Sequence, residues 1–172
     1  MRAVRGVAQS VALVGTLAIL PGCAHSIRVS PSDSYSRDSA YLYGRFYIDG
    51  MSPLWYQLNC HDGSKYKIQF SKSSAVRVFK IAPSVCQVDY IVFGNETQNE
   101  MVGFRLLRNE VLDAGGVYYV GDFAADSTWN WMEGIVTWIV KGRRNEYAKT
   151  TAALKRAFPG FASVATEDRM PR

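Results

Sequence analysis

The chain has 172 residues, of which 48% are hydrophobic and 13% aromatic, so it carries enough apolar surface to fold, which argues against a disordered protein. Its formal net charge of +5 is modest for this length and argues against a dedicated nucleic-acid binder, which would carry a stronger basic patch. One domain of ordinary size is the expectation.

The N-terminus has the layout of a secretory signal. Arg2 and Arg5 precede an uncharged apolar stretch of about 15 residues that ends at Leu20. The stretch Leu20-Pro21-Gly22-Cys23 resembles a bacterial lipobox, which implies cleavage before Cys23 and lipid on its sulfur. Because Ala24 rather than Asp follows Cys23, the resemblance also implies sorting to the outer membrane.

Two alternatives to a lipobox stay open at this stage. An uncleaved transmembrane anchor would need about 20 apolar residues, and Pro21-Gly22 cuts this stretch short. An ordinary cleaved signal is the other alternative, since Pro21 is unusual inside a lipobox. Removal of residues 1–22 takes away two basic residues and no acid, which lowers the net charge to about +3.

The remaining chain divides into three parts. Residues 23–39 are rich in serine and predict a lipidated tether. Such a segment cannot bury enough surface to become ordered by itself. Residues 40–165 predict one periplasmic domain, and residues 166–172 predict a polar, frayed tail.

The cysteine count agrees with export. If lipid occupies Cys23, then Cys60 and Cys86 remain as a pair in an oxidising compartment, where disulfides persist. Both fall on the apolar face of strand-like segments, so we predict a disulfide between them. The alternative is two buried free thiols, because cysteine is also a common small core residue.

Alternation with a period of two indicates about eight short strands between turn signals such as Asp49-Gly50 and Asp62-Gly63. The predicted strands begin near Tyr41, Leu54, Tyr66, Val76, Cys86, Val102, Val117 and Trp129. The run from Trp129 to Val140 is expected to be one final strand, with Gly134 as a bulge.

The period then changes to that of a helix over residues 145–158. Asn145 can cap it, and Tyr147, Leu154 and Phe158 form an apolar stripe before Pro159-Gly160 ends it. The pattern predicts a mainly β fold, an antiparallel β-sandwich of 7–8 strands with one C-terminal α-helix. A small closed β-barrel is the alternative.

A family resemblance points to the same architecture. The segments Lys80-Ile81-Ala82-Pro83 to Ile91-Val92-Phe93 and Val117-Tyr118-Tyr119-Val120-Gly121 are similar to small bacterial lipoproteins with a transthyretin-like or carboxypeptidase-regulatory-like sandwich. The resemblance implies a fold more than a function, since sandwiches host many unrelated roles.

The sequence offers little chemistry for catalysis, so the expectation is no enzyme, no cofactor and no metal. His61-Asp62 is better explained as a solvated turn than as a catalytic pair. A zinc site formed by Cys60, His61 and Cys86 is disfavoured. Cys60 and His61 are adjacent, and adjacent residues on a strand point to opposite faces. Asp113, Asp122 and Asp126 could meet at one end of the sandwich, but separate loop carboxylates are usually solvated.

Aromatic residues supply the remaining hypothesis, a partner surface. Tyrosine, tryptophan and arginine are favoured at contacts, and the residues proposed for this surface are Tyr41, Tyr43, Arg45, Tyr47, Trp129 and Trp131. A second, basic set could face anionic envelope polymers or form only a solvated sheet face: Lys65, Lys67, Lys72, Arg77 and Lys80.

These observations predict a lipoprotein held in the outer membrane by lipid on Cys23, with a non-catalytic periplasmic domain for binding or scaffolding. The expected partners are the membrane and an envelope protein or polymer, and not nucleic acid. A small-ligand carrier is the alternative, and an envelope hydrolase ranks below it.

Overall fold

The computed structural model describes residues 28–50, 54–93, 98–100, 107–130, 132–133 and 135–170. The signal segment, Cys23 and the predicted strand near Val102 lie outside these residues. The described part holds one helix, α1 (Tyr147–Ala157), a single 3-10 turn (Pro159–Phe161), and the strands β1 (Ala40–Asp49), β2 (Leu54–Cys60), β3 (Lys65–Gln69), β4 (Arg77–Ile81), β5 (Ser84–Phe93), β6 (Gln98–Glu100), β7 (Glu110–Leu112), β8 (Val117–Asn130), β9 (Ile135–Arg144) and β10 (Glu167–Asp168).

The strands form two five-stranded sheets. The first sheet has the order β10-β8-β1-β4, with β9 also paired to β8, and the second has the order β3-β2-β5-β6, with β7 also paired to β5. The predicted mainly β sandwich with a C-terminal helix is confirmed, and the described strands form no closed barrel. Within the first sheet, β1 and β8 run parallel, a pairing that joins segments far apart in the sequence.

Alternating residues of β1 divide between the two faces of the first sheet. Leu42, Phe46 and Ile48 point toward the second sheet and are buried, as the period of two predicts. Phe46 stacks on Phe123 with ring centroids 5.5 Å apart, and Tyr56 of the second sheet meets Phe123 at 5.2 Å. Large rings therefore fill the space between the sheets.

Helix α1 covers part of the other face of the first sheet. Leu154 is fully buried and Phe158 is nearly so, in one cluster with Tyr41, Tyr43 and Tyr119. The helix is two residues shorter at its start than predicted, and the Asn145 side chain accepts a hydrogen bond from the backbone N–H of Tyr147 at 3.1 Å. The molecule thus has three layers, with the first sheet in the middle.

The predicted tether is too long, because residues 28–39 pack against the domain. Val29 is buried and its backbone N–H donates to the carbonyl of Val78 at 2.9 Å. The Tyr35 hydroxyl donates to the carbonyl of Gly115 at 2.6 Å, and its ring lies against Phe161. Apolar side chains spaced among the serines give residues 28–39 enough surface to bury.

The expected frayed tail is also corrected. Glu167 and Asp168 pair in parallel with β8, and the backbone N–H of Arg169 donates to the carbonyl of Tyr119 at 2.9 Å. The Arg169 guanidinium meets Glu110 of β7 at 3.2 Å. Backbone pairing and ion pairs therefore hold this polar segment against the domain through Met170.

The predicted final strand is wrong, since the run from Trp129 to Val140 is a hairpin. Trp129 lies near the end of β8, Trp138 lies in β9, and the two strands pair antiparallel from Asp122–Arg144 to Asn130–Ile135. Continuous β propensity hides the turn between them. Gly134 lies outside the described residues.

The predicted disulfide between Cys60 and Cys86 is confirmed, with an S–S distance of 2.05 Å. The two residues are register partners where β2 pairs with β5, so the bond crosses neighbouring strands of the second sheet. None of the helices in the described residues has the length and apolar character that a membrane crossing requires.

Candidate ligand-binding cleft

A cleft lies where α1 stops covering the first sheet. The β1 face that carries Tyr41 and Tyr43 under the helix continues with Arg45, Tyr47 and Asp49, which are only partly buried or exposed. Helix α1 begins at Tyr147, and its residue Thr150 reaches Asp122, the register partner of Arg45. The cleft therefore sits at the boundary between the covered and the open half of one sheet face.

A backbone irregularity decides which β8 side chains reach the cleft. The register shifts between Tyr43 and Gly44, where Gly121 of β8 adopts a φ of 122°, a conformation that favours glycine. A Cβ atom on Gly44 would lie 2.2 Å from the Gly121 carbonyl oxygen, so both positions need glycine. The shift places Asp122 beside Arg45 on the open face.

The cleft has a volume of about 420 Å³ and charged walls. Strands β1, β8 and β9, the start of α1 and the loop before β4 contribute the lining residues Arg45, Tyr47, Ser74, Asp122, Phe123, Ala124, Lys141, Gly142, Arg144, Glu146 and Lys149. A cleft of this volume can hold a small molecule or one chemical group of a larger partner.

Asp122 forms the floor of the cleft and is held from two sides. The Thr150 hydroxyl donates to its Oδ2 at 2.8 Å, and an Arg45 Nη1 lies 3.5 Å from the same oxygen. Burial raises the pKa of the Asp122 carboxyl, against the opposing effects of Thr150 and Arg45. Because its partners belong to α1 and β1, Asp122 joins the helix to the sheet.

A network of tyrosine hydroxyls shapes the wall between β9 and α1. The Tyr119 hydroxyl donates to the Arg144 carbonyl at 3.1 Å and accepts from the Glu146 backbone N–H at 2.9 Å. Tyr43 shares a hydrogen bond with Thr151 at 2.5 Å, and burial raises the pKa of Tyr43 to about 12. These buried hydroxyls fix the backbone from which Arg144 and Glu146 extend.

The balance of charge in the cleft favours an anionic ligand. Four lining side chains are basic and two are acidic, Asp122 and Glu146. Lys141 already binds Asp126, with Nζ 2.6 Å from the carboxylate. Within the described residues, Arg144 and Lys149 bind no carboxylate, so their charges are available to a ligand.

One buried donor in the cleft lacks an acceptor among the described residues. The Nε of Arg45 is inaccessible to solvent and forms no hydrogen bond within the described residues, although its Nη1 lies near Asp122. Because solvent does not reach this nitrogen, an acceptor in the cleft could bond to it only after the Arg45 side chain moves. A carboxylate or phosphate group in the cleft would instead meet the exposed side chains of Arg144 and Lys149.

The structure changes the predicted partner surface. Tyr41, under Phe161 and Tyr35, and Tyr43, under α1, have exposed fractions of 1% and 0% and cannot contact a partner. Arg45 and Tyr47 line the cleft. Trp129 belongs to β8, and Trp131 lies outside the described residues, so their proposed contact role stays a prediction. Alternation placed these β1 residues on one face of the strand but did not show that part of this face is covered.

The basic set does not form one surface. Arg77 is buried and donates to the Gln69 carbonyl at 3.1 Å, while the Lys67 ammonium lies 4.5 Å from the centre of the Trp55 ring. Lys80 lies on the first sheet with Arg77, but Lys65 and Lys67 lie on the second. The basic residues of the cleft come instead from β1, β9 and α1.

The remaining candidates for chemistry are structural. Asp62 Oδ1 accepts hydrogen bonds from the Ser64 backbone at 2.9 Å and hydroxyl at 2.6 Å, which lowers the pKa of Asp62 and closes the predicted turn. In the described ranges, no three His, Cys, Asp or Glu side chains come together as a metal site would require. Asp113, Asp122 and Asp126 therefore do not form the conceivable calcium cluster.

Comparison with protein-family models, with curated proteins and with solved structures finds no match. Membership of a transthyretin-like lipoprotein family thus stays a prediction, while the β-sandwich itself is observed. Sequence reasoning missed Lys141, Arg144, Lys149 and Thr150 as site residues. The signal that could have revealed them is the change in composition at Lys141, where an apolar run gives way to residues 141–144, of which three are basic.

Proposed function

We propose that this protein is an outer-membrane lipoprotein whose periplasmic domain is a non-catalytic binding module. In this proposal the cleft beside α1 holds an anionic group of an envelope polymer or protein. The observation that carries the proposal is the cleft itself, with the charges of Arg144 and Lys149 unpaired in the described chain.

Two features support export and anchoring. The Cys60–Cys86 bond suits an oxidising compartment, where such bonds persist. It also leaves Cys23, in the lipobox-like stretch after Leu20, as the third cysteine of the chain. Acyl chains contribute about 0.8 kcal/mol per buried CH₂, so two or more chains on this residue would hold the domain at a membrane.

Metabolic labelling with palmitate tests the anchor. The wild-type chain should take up label and sediment with outer membranes, and Cys23→Ser should take up none. Cys60→Ser with Cys86→Ser is the matched control, since it removes two thiols that lipid does not need and should keep the label. A wild-type chain without label would refute the lipid anchor.

Co-sedimentation with isolated peptidoglycan sacculi, a carboxylate-bearing envelope polymer, tests the cleft. Arg144→Ala with Lys149→Ala should lower the bound fraction several-fold. Lys65→Ala with Lys72→Ala removes two exposed basic residues elsewhere and should leave binding unchanged. Binding should also fall as salt rises, because exposed charges are screened within about 10 Å at 0.1 M.

Equal binding by both double variants would refute the cleft as the site for this polymer. A cross-linked pull-down from intact cells with the same two variants then tests the protein partner. Loss of an envelope protein from the Arg144 and Lys149 variant alone would support a protein ligand at the cleft. Identical recovery by both variants would reject the binding role of the cleft.

A further inference from the structure

Strand β9 forms an open edge of the first sheet. Its only pairing in the described part of the chain is with β8, from Asp122–Arg144 to Asn130–Ile135. The neighbouring β1 ends at Asp49, opposite Asp126, so the hairpin also extends four β8 residues past the end of β1. An edge strand of this kind presents unpaired backbone N–H and C=O groups along its outer side.

The first six residues of this edge lack the usual protection against pairing. Residues 135–140 read Ile-Val-Thr-Trp-Ile-Val, without charge, proline or glycine, and edge strands that avoid pairing normally carry lysine, proline or a bulge. Here both the register shift and the basic residues come only afterwards, from Lys141 to Arg144. Six of the ten residues of this edge are therefore open to another strand.

The side chains that the structure describes there are unusually exposed. Ile139 has an exposed fraction of 62%, and Met132 in the hairpin turn has one of 98%. A single exposed apolar residue needs no explanation, but these two lie on one unprotected hairpin. The other large apolar residue exposed in the described chain, Val111 at 52%, lies on β7 of the second sheet.

The charges along the hairpin would be complementary to those of a second, antiparallel copy of the same hairpin. Glu133 precedes the apolar run and accepts a hydrogen bond from Asn130, and Lys141, which also binds Asp126, follows the run. Two copies of this strand in antiparallel pairing would place the acid of each copy near the base of the other, whereas parallel pairing would bring like charges together. Antiparallel pairing of identical strands also satisfies a two-fold axis, the commonest symmetry of homodimers.

We propose that β9 pairs with β9 of a second copy of this chain, so that the first sheets of two molecules join into one continuous sheet. The dimer would be held by backbone hydrogen bonds along residues 135–140 and by contacts of Ile139. This interface lies on the strand that also supplies Lys141 and Arg144, so two clefts would flank it.

Light scattering on the full chain, purified in mild detergent, tests the dimer. The wild type should have the mass of two chains, and Ile139→Lys that of one, because lysine on an open edge opposes strand pairing. Val111→Lys is the matched control and should keep the dimer mass. Thermal melting verifies that both variants fold, as expected for substitutions at exposed positions.

Cross-linking with a short bismaleimide locates the interface. Ile139→Cys should give a covalent dimer, and Val111→Cys should not. A wild type with the mass of one chain would overturn the proposal. So would a dimer that survives Ile139→Lys, or equal cross-linking at positions 139 and 111.

Discussion

Asp122 shows how one residue can support both the fold and a site. Its carboxylate accepts from Thr150 of the helix and faces Arg45 of the neighbouring strand, so it fixes the two walls of the cleft relative to each other. Burial disfavours the charged form of this carboxyl more than its partners favour it, which leaves its pKa raised. The residue therefore makes the stability of the cleft depend on pH.

The sign of that dependence can be measured with Asp122→Asn. Since the folded pKa lies above the ordinary value of 3.8, the folded state keeps this proton longer than the unfolded state does. Stability from the protonated carboxyl is therefore complete below the unfolded pKa and is lost as pH rises through the folded pKa. Relative to wild type, Asp122→Asn should gain stability as pH rises above the ordinary value of 3.8.

Urea unfolding across that range gives the free energy of unfolding for both proteins. Asp38→Asn removes an exposed carboxylate and controls for the change in net charge. An advantage of Asp122→Asn that shrinks with rising pH would contradict the raised pKa.

Helix α1 acts as the third layer of the fold. Its contact with the sheet rests on few residues, among which Leu154 is fully buried against the tyrosines of β1 and β8. An isolated helix of 11 residues is marginal in water, so packing must supply its stability.

Leu154→Asp should destabilise the protein by about 3 kcal/mol or more, because it removes a packed side chain and buries a carboxylate. Ala152→Asp places the same charge at an exposed position of the same helix and should change the midpoint of thermal melting much less. Equal midpoints for the two variants would mean that the helix does not depend on its contact with the sheet.

The disulfide joins β2 and β5, which already pair through hydrogen bonds. It links residues 26 apart in the sequence, and in the chain-entropy model such a loop contributes roughly 3 kcal/mol to stability. Cys60→Ala with Cys86→Ala should lower the free energy of unfolding in urea by about that amount. Wild type under reducing conditions should match the variant, and a difference near zero in both cases would contradict the prediction.

At the scale of the whole molecule, local patterns predicted the parts that depend on local forces. Alternation identified β1, β2 and β3, and helical spacing identified α1 to within two residues. The apolar faces of two strands identified the Cys60–Cys86 pair. Each of these inferences needs only side-chain period or composition, which a sequence displays directly.

The cleft depends on long-range pairing, which periodicity does not encode. Alternation shows that Tyr43 and Arg45 share a face, but not that α1 covers the first and leaves the second open. The position of Asp122 beside Arg45 requires the parallel pairing of β1 with β8 and the register shift at Gly121. The hairpin turn after Asn130 was missed because strand-forming residues flank it on both sides.

The parallel contact between β1 and β8 has a kinetic consequence. Tyr41 pairs with Val117, so the centre of the first sheet cannot close until the whole second sheet and β8 are available. Contacts at such separation fold slowly, and refolding of the oxidised chain followed by tryptophan fluorescence should take roughly milliseconds to seconds. A nascent chain therefore cannot complete the first sheet while β8 is still being made, although every strand of the second sheet has by then been synthesised.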